Sequence, residues 1–208
     1  MSQPQAVIFD IGNVLVEWHP ETYYARHMPD EVRARMFQET AIEAMNIELD
    51  RGAPFRQTVY DLADRHPAWS DMIRRWHDNW LEMLTPEIAP CTRLLRALRA
   101  RGVPVFALSN FGAESFEIAR KHYPVLSEFD RAYISGRMGV VKPDPQIYHR
   151  VEADCGLPPA ALIFVDDRAD NIAVAAARGW QTHLFDGWQG WAARLVALGL
   201  LSAPEAGL

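Results

Sequence analysis

Polar residues of types that can carry chemistry stand at, or just after, four short apolar runs of the chain. They are Asp10 with Gly12 and Asn13, Ser109 with Asn110, Lys142 in the sequence Lys-Pro-Asp-Pro, and Asp166-Asp167 with Asp170 and Asn171 one turn later. In parallel α/β sheets, ligand-binding residues collect at the carboxyl ends of the strands. We therefore expect these four groups to surround one crevice.

Together the four groups predict phosphoryl transfer. Neighbouring carboxylates repel one another unless a cation lies between them, and oxygen ligands of this kind suit Mg²⁺. A metal cation, an ammonium group and hydrogen-bond donors that surround one crevice can neutralise the charge of a phosphoryl group during its transfer. Aspartate can act as the nucleophile and pass through an aspartyl-phosphate. The chain has only two lysines, Lys121 and Lys142. Because lysine is so rare here, its presence at position 142 indicates a tight site that needs a compact ammonium rather than a guanidinium.

The elements that must position these residues alternate between strands and helices. Short apolar runs predict strands near 6–11, 103–108, 132–134, 162–165 and 182–185, and helical patterns cover roughly 87–101, 113–122, 145–156, 170–178 and 188–199. Such alternation predicts an α/β fold with a Rossmann-like parallel sheet covered on both faces. We expect the tail from Ser202 to be frayed.

Residues 16–87 interrupt this alternation directly after the first strand. They contain no convincing strand, and their apolar residues, such as Val32, Met36, Val59 and Leu62, recur at helical intervals. We predict a catalytic core formed by residues 1–15 and 88–208, with residues 16–87 inserted as a helical cap domain.

Composition excludes several classes of protein and site. The 208 residues carry a net charge of −6, and residues 1–89 hold 15 acidic against 8 basic side chains, which argues against a nucleic-acid or anionic-membrane partner. No apolar run is long enough to span a membrane, and the N-terminus lacks the features of a signal peptide. The seven histidines and two cysteines show no zinc-ligand spacing. We expect a cytoplasmic protein, a monomer or weak homodimer, whose partner is a small phosphorylated metabolite.

Four segments, FDIGNVL, LSN, KPDP and FVDDRADN, resemble the four ordered motifs of the haloacid dehalogenase-like hydrolases, which carry a helical cap between the first and second motifs. The resemblance covers essentially the whole chain. It implies that Asp10 is the catalytic nucleophile and Lys142 the charge-neutralising lysine. It also implies that Ser109 and Asn110 bind the phosphate. The implied magnesium ligands are Asp10, the backbone carbonyl of Gly12 and Asp167. Asp166 stands where many members have glycine, and we expect it to support the metal ligands from behind. Asn171 stands where many members have a second acidic residue.

The first motif departs from the usual D-x-D-G-T pattern, because Gly12 replaces the second Asp that protonates the leaving group. It resembles instead a subgroup with FD-x-G-N-V, some members of which are sugar-phosphate phosphatases, so a sugar phosphate is the expected substrate. General acid–base help is worth about 10²–10⁴-fold. Two explanations are open: another group supplies the proton, such as Glu17, His19 or a cap residue, or the leaving group needs little help, as an anomeric sugar oxygen would.

Two other functions are also consistent with the sequence. A 2-haloacid dehalogenase resembles this layout and lacks the second Asp, but it attacks carbon and needs no metal, so the Asp166-Asp167 pair counts against it. A non-catalytic phosphate-binding or regulatory relic is the third hypothesis.

Several other residues are expected to lie close to the site or in the cap. We expect Trp18, His19 and Arg51 to lie near the rim of the site, and Trp76 and Trp80 to pack in the cap.

Overall fold

A five-stranded parallel sheet forms the centre of the molecule. The computed structural model describes residues 3–208. In spatial order the strands are β5 (Arg131–Ile134), β4 (Val105–Ser109), β1 (Ala6–Phe9), β6 (Leu162–Asp166) and β7 (Gln181–Leu184). Every residue of β1, β4 and β6 is buried, as expected for parallel strands covered on both faces. The predicted fold class is confirmed.

Helices cover both faces of this sheet. They are α6 (Ala89–Ala100), α7 (Ala113–His122), α8 (Ser135–Met138), α9 (Pro145–Cys155), α10 (Ala169–Ala177) and α11 (Trp188–Ala197). Side chains alternate along a strand: Val7 and Phe9 belong to one apolar core, which includes Trp191 of α11, and Ile8 belongs to the other, which includes Tyr148 of α9.

Strand order brings the polar residues to one edge. The chain moves from β1 to β4 and β5 on one side, and β6 and β7 lie on the other side of β1. This reversal creates a crevice beyond the carboxyl ends of β4, β1 and β6, where ligands bind in open α/β sheets. Ser109 and Asp166 are the last residues of their strands, and Asp10 directly follows β1.

The segment between the first two sheet strands is mainly helical, with a small sheet at its base. Its helices are α1 (Pro20–Ala25), α2 (Asp30–Thr40), α3 (Ile42–Asp50), α4 (Phe55–Arg65) and α5 (Ser70–Asp78). Strands β2 (Val16–Trp18) and β3 (Leu84–Glu87) pair antiparallel where the segment leaves and rejoins the core. We expected no strand here. Both strands are short and partly exposed, so neither has the apolar alternation that identifies a strand.

The C-terminal tail is ordered, contrary to the expectation that it frays from Ser202. Helix α12 (Ala203–Ala206) begins with a capping box, in which Glu205 accepts hydrogen bonds from the backbone and hydroxyl of Ser202. Glu205 also forms an ion pair with Arg101, and Ala206 is buried. Among residues 3–208, no helix combines the length and apolarity needed to cross a membrane.

Candidate active site

Asp10 lies at the centre of the crevice, with one carboxylate oxygen fully engaged. Its backbone N–H donates to Val165 of β6 at 2.9 Å. Oδ1 accepts hydrogen bonds from the Ile11 N–H and the Ser109 hydroxyl, both at 2.7 Å, and lies 3.0 Å from Lys142 Nζ. Oδ2 takes part in no hydrogen bond or ion pair with the described residues. The carboxylate is therefore held through one oxygen, which leaves the other for a ligand.

Lys142 is buried between two carboxylates. Its ammonium donates to Asp166 Oδ2 at 2.6 Å and to the Leu108 carbonyl at 2.9 Å, in addition to its contact with Asp10. The residue is only 3% exposed, so it acts from inside the protein. Three oxygens of the site thus lie within 3.0 Å of the ammonium, and such a point charge fits where a planar guanidinium would not.

Asn110 positions the loop that carries this lysine. Its side-chain carbonyl accepts from the Lys142 N–H at 2.7 Å, and its amide donates to the Lys142 carbonyl at 2.9 Å. Asn110 also lines the cavity described below. From the sequence we expected Asn110 to bind phosphate, and its hydrogen bonds to the backbone of Lys142 were not predicted.

A second carboxylate cluster follows β6. Asp166 is completely buried, and Asn171 Nδ2 donates to both of its oxygens at 2.9 and 3.0 Å. Asp167 instead lines the cavity, where its Oδ2 accepts from Asn13 Nδ2 at 3.0 Å. Asn13 has a positive φ of 57°, a conformation that asparagine adopts more readily than most residues. The loop after β1 is thereby tied to the cluster after β6, a contact that sequence analysis missed.

Three carboxylates lie close enough to share a cation. One oxygen from each of Asp10, Asp166 and Asp167 falls within 4.8 Å of the others. Asn171 Oδ1 is buried and has no hydrogen-bond partner among the described residues. A set of carboxylate and amide oxygens is the donor chemistry of Mg²⁺, so the residues present fit that ion.

Burial and charge shift the pKa values of the central pair. Burial raises the pKa of Asp10 to about 7, with Lys142 acting in the lowering direction and Asp166 in the raising direction. Burial lowers the pKa of Lys142, but the carboxylates of Asp10 and Asp166 outweigh it, so the pKa lies above its ordinary value. The lysine is therefore charged at neutral pH, and added positive charge beside Asp10 would favour the carboxylate form that a nucleophile needs.

A cavity of about 530 Å³ lies between the core and the inserted segment, a size typical of small-molecule sites. Asp10, Gly12, Ser109 and Lys142 line its core side. Trp18, Trp76, Trp80 and Phe37 form an aromatic wall on the inserted side, where Asn46 and Asp50 of α3 also face the cavity. The site therefore combines a charged floor with a roof that is partly aromatic.

Rim residues expected from the sequence are only partly in this cavity. Trp18 lines it, with its ring centroid 5.8 Å from those of Trp76 and Trp80. Glu17 and His19 instead pair with each other at 3.0 Å on the surface and are absent from the lining.

Arg51 also lies outside the cavity lining and pairs with Glu48 at 2.9 Å. The neighbouring Asp50, which sequence analysis overlooked, is the one that faces the cavity. An acidic residue at the end of an inserted helix carries no sequence signal that separates it from an ordinary surface residue.

Comparisons with known proteins converge on one family. The model of the haloacid dehalogenase-like hydrolases matches residues 4–179. A sesquiterpene phosphatase, astK, of Aspergillus oryzae is 28% identical over 88% of this chain and 90% of its own length. D-ribitol-5-phosphate phosphatase of Bacteroides thetaiotaomicron is 23% identical over 92% of this chain and 97% of its own length. The crystal structure of enzyme BT-2542 of the same bacterium, a member of that family, superposes with a TM-score of 0.71 at 20% identity, covering 88% of this chain and 93% of that one.

Proposed function

Since this chain belongs to the haloacid dehalogenase-like hydrolases, we propose that it is a Mg²⁺-dependent phosphomonoesterase that cleaves a small sugar phosphate through an aspartyl-phosphate at Asp10. One observation carries the proposal. Asp10 is held through Oδ1 by Ser109 and Lys142, while Oδ2 is free of partners among the described residues and the side chain lines a cavity. That is the arrangement required of a carboxylate that attacks a bound phosphoryl group.

The carboxylate cluster supports the metal. Asp10, Asp167 and the backbone carbonyl of Gly12 would hold Mg²⁺, while Asp166 and Asn171 would support them from behind. When bound, the ion would supply positive charge to the phosphoryl oxygens and to Asp10. The proximity of one oxygen from each of Asp10, Asp166 and Asp167 supports a cation at this place. The hydrogen bonds from Asn171 Nδ2 to both oxygens of the buried Asp166 support a position of this pair behind the ligands.

The chain's own residues then have distinct roles in the reaction. Asp10 attacks phosphorus in line with the leaving oxygen, and Ser109 and the Ile11 N–H keep its carboxylate oriented. Lys142 offsets negative charge from within the site. Water subsequently cleaves the aspartyl-phosphate and releases inorganic phosphate, while the inserted segment limits access of bulk water to the cavity.

Relatives support a phosphorylated small molecule and differ in its polarity. One is named for a polyol phosphate, D-ribitol 5-phosphate, and another for sesquiterpenes. A sugar or polyol phosphate fits the polar side chains of α3, while the aromatic wall formed by Trp18, Trp76, Trp80 and Phe37 can stack against the apolar face of a sugar ring. A prenyl phosphate is therefore the informative competitor in a substrate screen.

A phosphate-release screen with Mg²⁺ tests this proposal. The panel contains glucose 1-phosphate, glucose 6-phosphate, ribitol 5-phosphate, farnesyl phosphate and p-nitrophenyl phosphate. We expect turnover of a sugar or polyol phosphate that is abolished by EDTA and by Asp10→Asn. Turnover confined to farnesyl phosphate would contradict the substrate class. Activity that survives EDTA would contradict the metal, and chloride release from 2-chloropropionate without any metal would favour a dehalogenase.

A further inference from the structure

The reaction proposed above lacks a proton donor for the leaving group. Gly12 stands where a second aspartate would act, and its backbone has room for a side chain, since an added Cβ would meet nothing closer than Trp18 Cβ at 3.9 Å. Glu17 and His19 pair with each other on the surface, outside the cavity. A simple alkoxide is a poor leaving group without a proton, so a substrate of that kind calls for a donor from another part of the cavity wall.

Three carboxylates outside the metal cluster line the cavity, and of these Asp50 is half-buried whereas Glu21 and Glu43 are exposed. Asp50 is the last residue of α3, and its side chain lines the same cavity as Asp10. The one hydrogen bond its carboxylate makes among the described residues comes from Asn46 Nδ2, at a long 3.3 Å. The carboxyl group is thus weakly held, and one oxygen is left for a ligand.

Asp50 is attached to the core although it belongs to the inserted segment. Its backbone carbonyl accepts a hydrogen bond of 2.6 Å from Ser135, a buried residue at the start of α8. Two residues later, Gly52 approaches α8 so closely that an added Cβ would lie 2.5 Å from the Gly136 carbonyl oxygen. These contacts attach the end of α3 to the core beside the cavity.

We propose that Asp50 is the proton-transfer residue of this site, in place of the aspartate missing at Gly12. The inference rests on the proposed phosphatase function. When an Asp10 oxygen bonds to phosphorus, the bond to the leaving oxygen breaks and its electron pair stays on that oxygen, which takes the proton of the Asp50 carboxyl group. The Asp50 carboxylate then accepts a proton from the water whose oxygen bonds to phosphorus. As that bond forms, the bond between phosphorus and Asp10 breaks and its electron pair returns to the Asp10 carboxylate. Inorganic phosphate leaves, and both aspartates are back in their starting forms.

The electrostatics of the cavity agree with this role. Burial and, to a smaller extent, the charge of Asp10 raise the pKa of Asp50 to about 7, with Lys142 acting in the lowering direction. An ordinary aspartate, with a pKa of about 3.9, would be ionised and unable to donate at neutral pH, whereas efficient acid catalysts have pKa values near the working pH. Further charged groups lining the cavity are Glu21 of α1, Glu43 of α3, and Asp167 and Arg168 of the loop after β6.

The decisive experiment compares leaving groups in Asp50→Asn. p-Nitrophenolate is a stable anion and leaves without a proton, whereas a sugar alkoxide needs one. We expect Asp50→Asn to lower kcat about 10²–10⁴-fold on the better of the two sugar or polyol phosphates that release a simple alkoxide, glucose 6-phosphate and ribitol 5-phosphate. With p-nitrophenyl phosphate, rapid mixing should still give a burst of one equivalent of p-nitrophenolate. The phosphoenzyme should then accumulate, because the water step has lost its base.

Matched variants separate this role from a structural one. Glu48→Gln changes an exposed carboxylate of the same helix and should keep wild-type kinetics, and Asp50→Glu should restore part of the activity on the sugar phosphate. In the wild type, kcat on that substrate should fall above pH about 7 as Asp50 ionises, while the burst rate with p-nitrophenyl phosphate should not.

Two results would overturn the assignment. One is an Asp50→Asn variant with unchanged kcat on the sugar phosphate. The other is a folded variant in which the burst and the sugar-phosphate turnover fall by the same factor, because a purely structural effect would not depend on the leaving group. A wild-type protein that hydrolyses no monoester of the panel would instead refute the phosphatase function itself, so the two failures are distinguishable.

Discussion

Replacing Lys142 with methionine tests how the centre of the site is stabilised. The side chains are similar in length, so the change removes the charge with little change in volume. It leaves Asp10 and Asp166 as neighbouring buried carboxylates and leaves the Leu108 carbonyl without its donor. Removing one partner of a buried ion pair typically costs about 3–5 kcal/mol. We therefore expect the free energy of unfolding to fall by about that amount at pH 8.

The loss should depend on pH, with a sign that follows from the carboxylates. Burial already raises the pKa of Asp10 from 3.8 to about 7, and loss of the lysine raises it further, because Lys142 acts in the lowering direction. Between pH 3.8 and about 7 the folded forms of both proteins hold a proton that the unfolded chain has released, so their stabilities fall together. Above about pH 7 the wild type releases this proton and only the variant continues to lose stability. The deficit relative to wild type should be smaller at pH 5 than at pH 8.

Urea unfolding followed by circular dichroism, with EDTA present to remove stray cations, measures both quantities. Lys121→Met is the matched control, because Lys121 is the other lysine of the chain and is exposed on α7; it should change stability by less than about 0.5 kcal/mol. A loss of less than about 1 kcal/mol in the free energy of unfolding of Lys142→Met at pH 8 would contradict this prediction. The same loss at pH 5 and at pH 8 would contradict it as well.

Three further predictions follow from single contacts. Ser109→Ala removes a hydroxyl hydrogen bond to Asp10, the proposed nucleophile, worth about 1.5–3 kcal/mol for a charged acceptor, so steady-state assays should show kcat reduced by roughly 10–100-fold; an unchanged kcat would contradict this. Burial raises the pKa of the Cys91 thiol to about 12, so mass spectrometry after iodoacetamide treatment at pH 8 should find Cys155 modified in the native protein and Cys91 only after unfolding. The hydroxyl of Ser202 lowers the pKa of Glu205 to about 2. Glu205→Gln should therefore speed hydrogen exchange in residues 200–208 above pH 4.5, with the difference from wild type narrowing as pH falls toward 2.

The central sheet could be predicted from the sequence because its three inner strands, β1, β4 and β6, are buried and read as continuous apolar runs. The edge strands β5 and β7 are partly exposed and have shorter apolar runs, but their places in the strand–helix alternation located them as well. The small sheet of β2 and β3 could not be, since its strands are short and β3 contains Pro86 and Glu87. The order of the tail was not predicted, because it depends on two contacts of Glu205. This side chain caps the first turn of α12 by accepting hydrogen bonds from Ser202, and its ion pair with Arg101 depends on the tertiary fold.

The floor of the site was predictable for a topological reason. Asp10, Ser109 and Lys142 follow strands whose ends must meet at one edge of the sheet. Asp50 could not be found in the same way, because its place depends on how α3 lies against α8. Local sequence patterns do not encode that contact, and the same limit applies to the Asn13–Asp167 bond, which joins residues 154 positions apart.

Phosphorylation of Asp10 during turnover is the step on which the proposed function depends. The direct test is to quench the enzyme in acid within milliseconds of mixing with Mg²⁺ and p-nitrophenyl phosphate, then to digest it and sequence the peptides by mass spectrometry. We expect one phosphoryl group on the peptide containing Asp10, absent in Asp10→Asn and accumulating in Asp50→Asn. Hydrolysis that proceeds with no phosphoryl group on that peptide, or with one on a different residue, would contradict it.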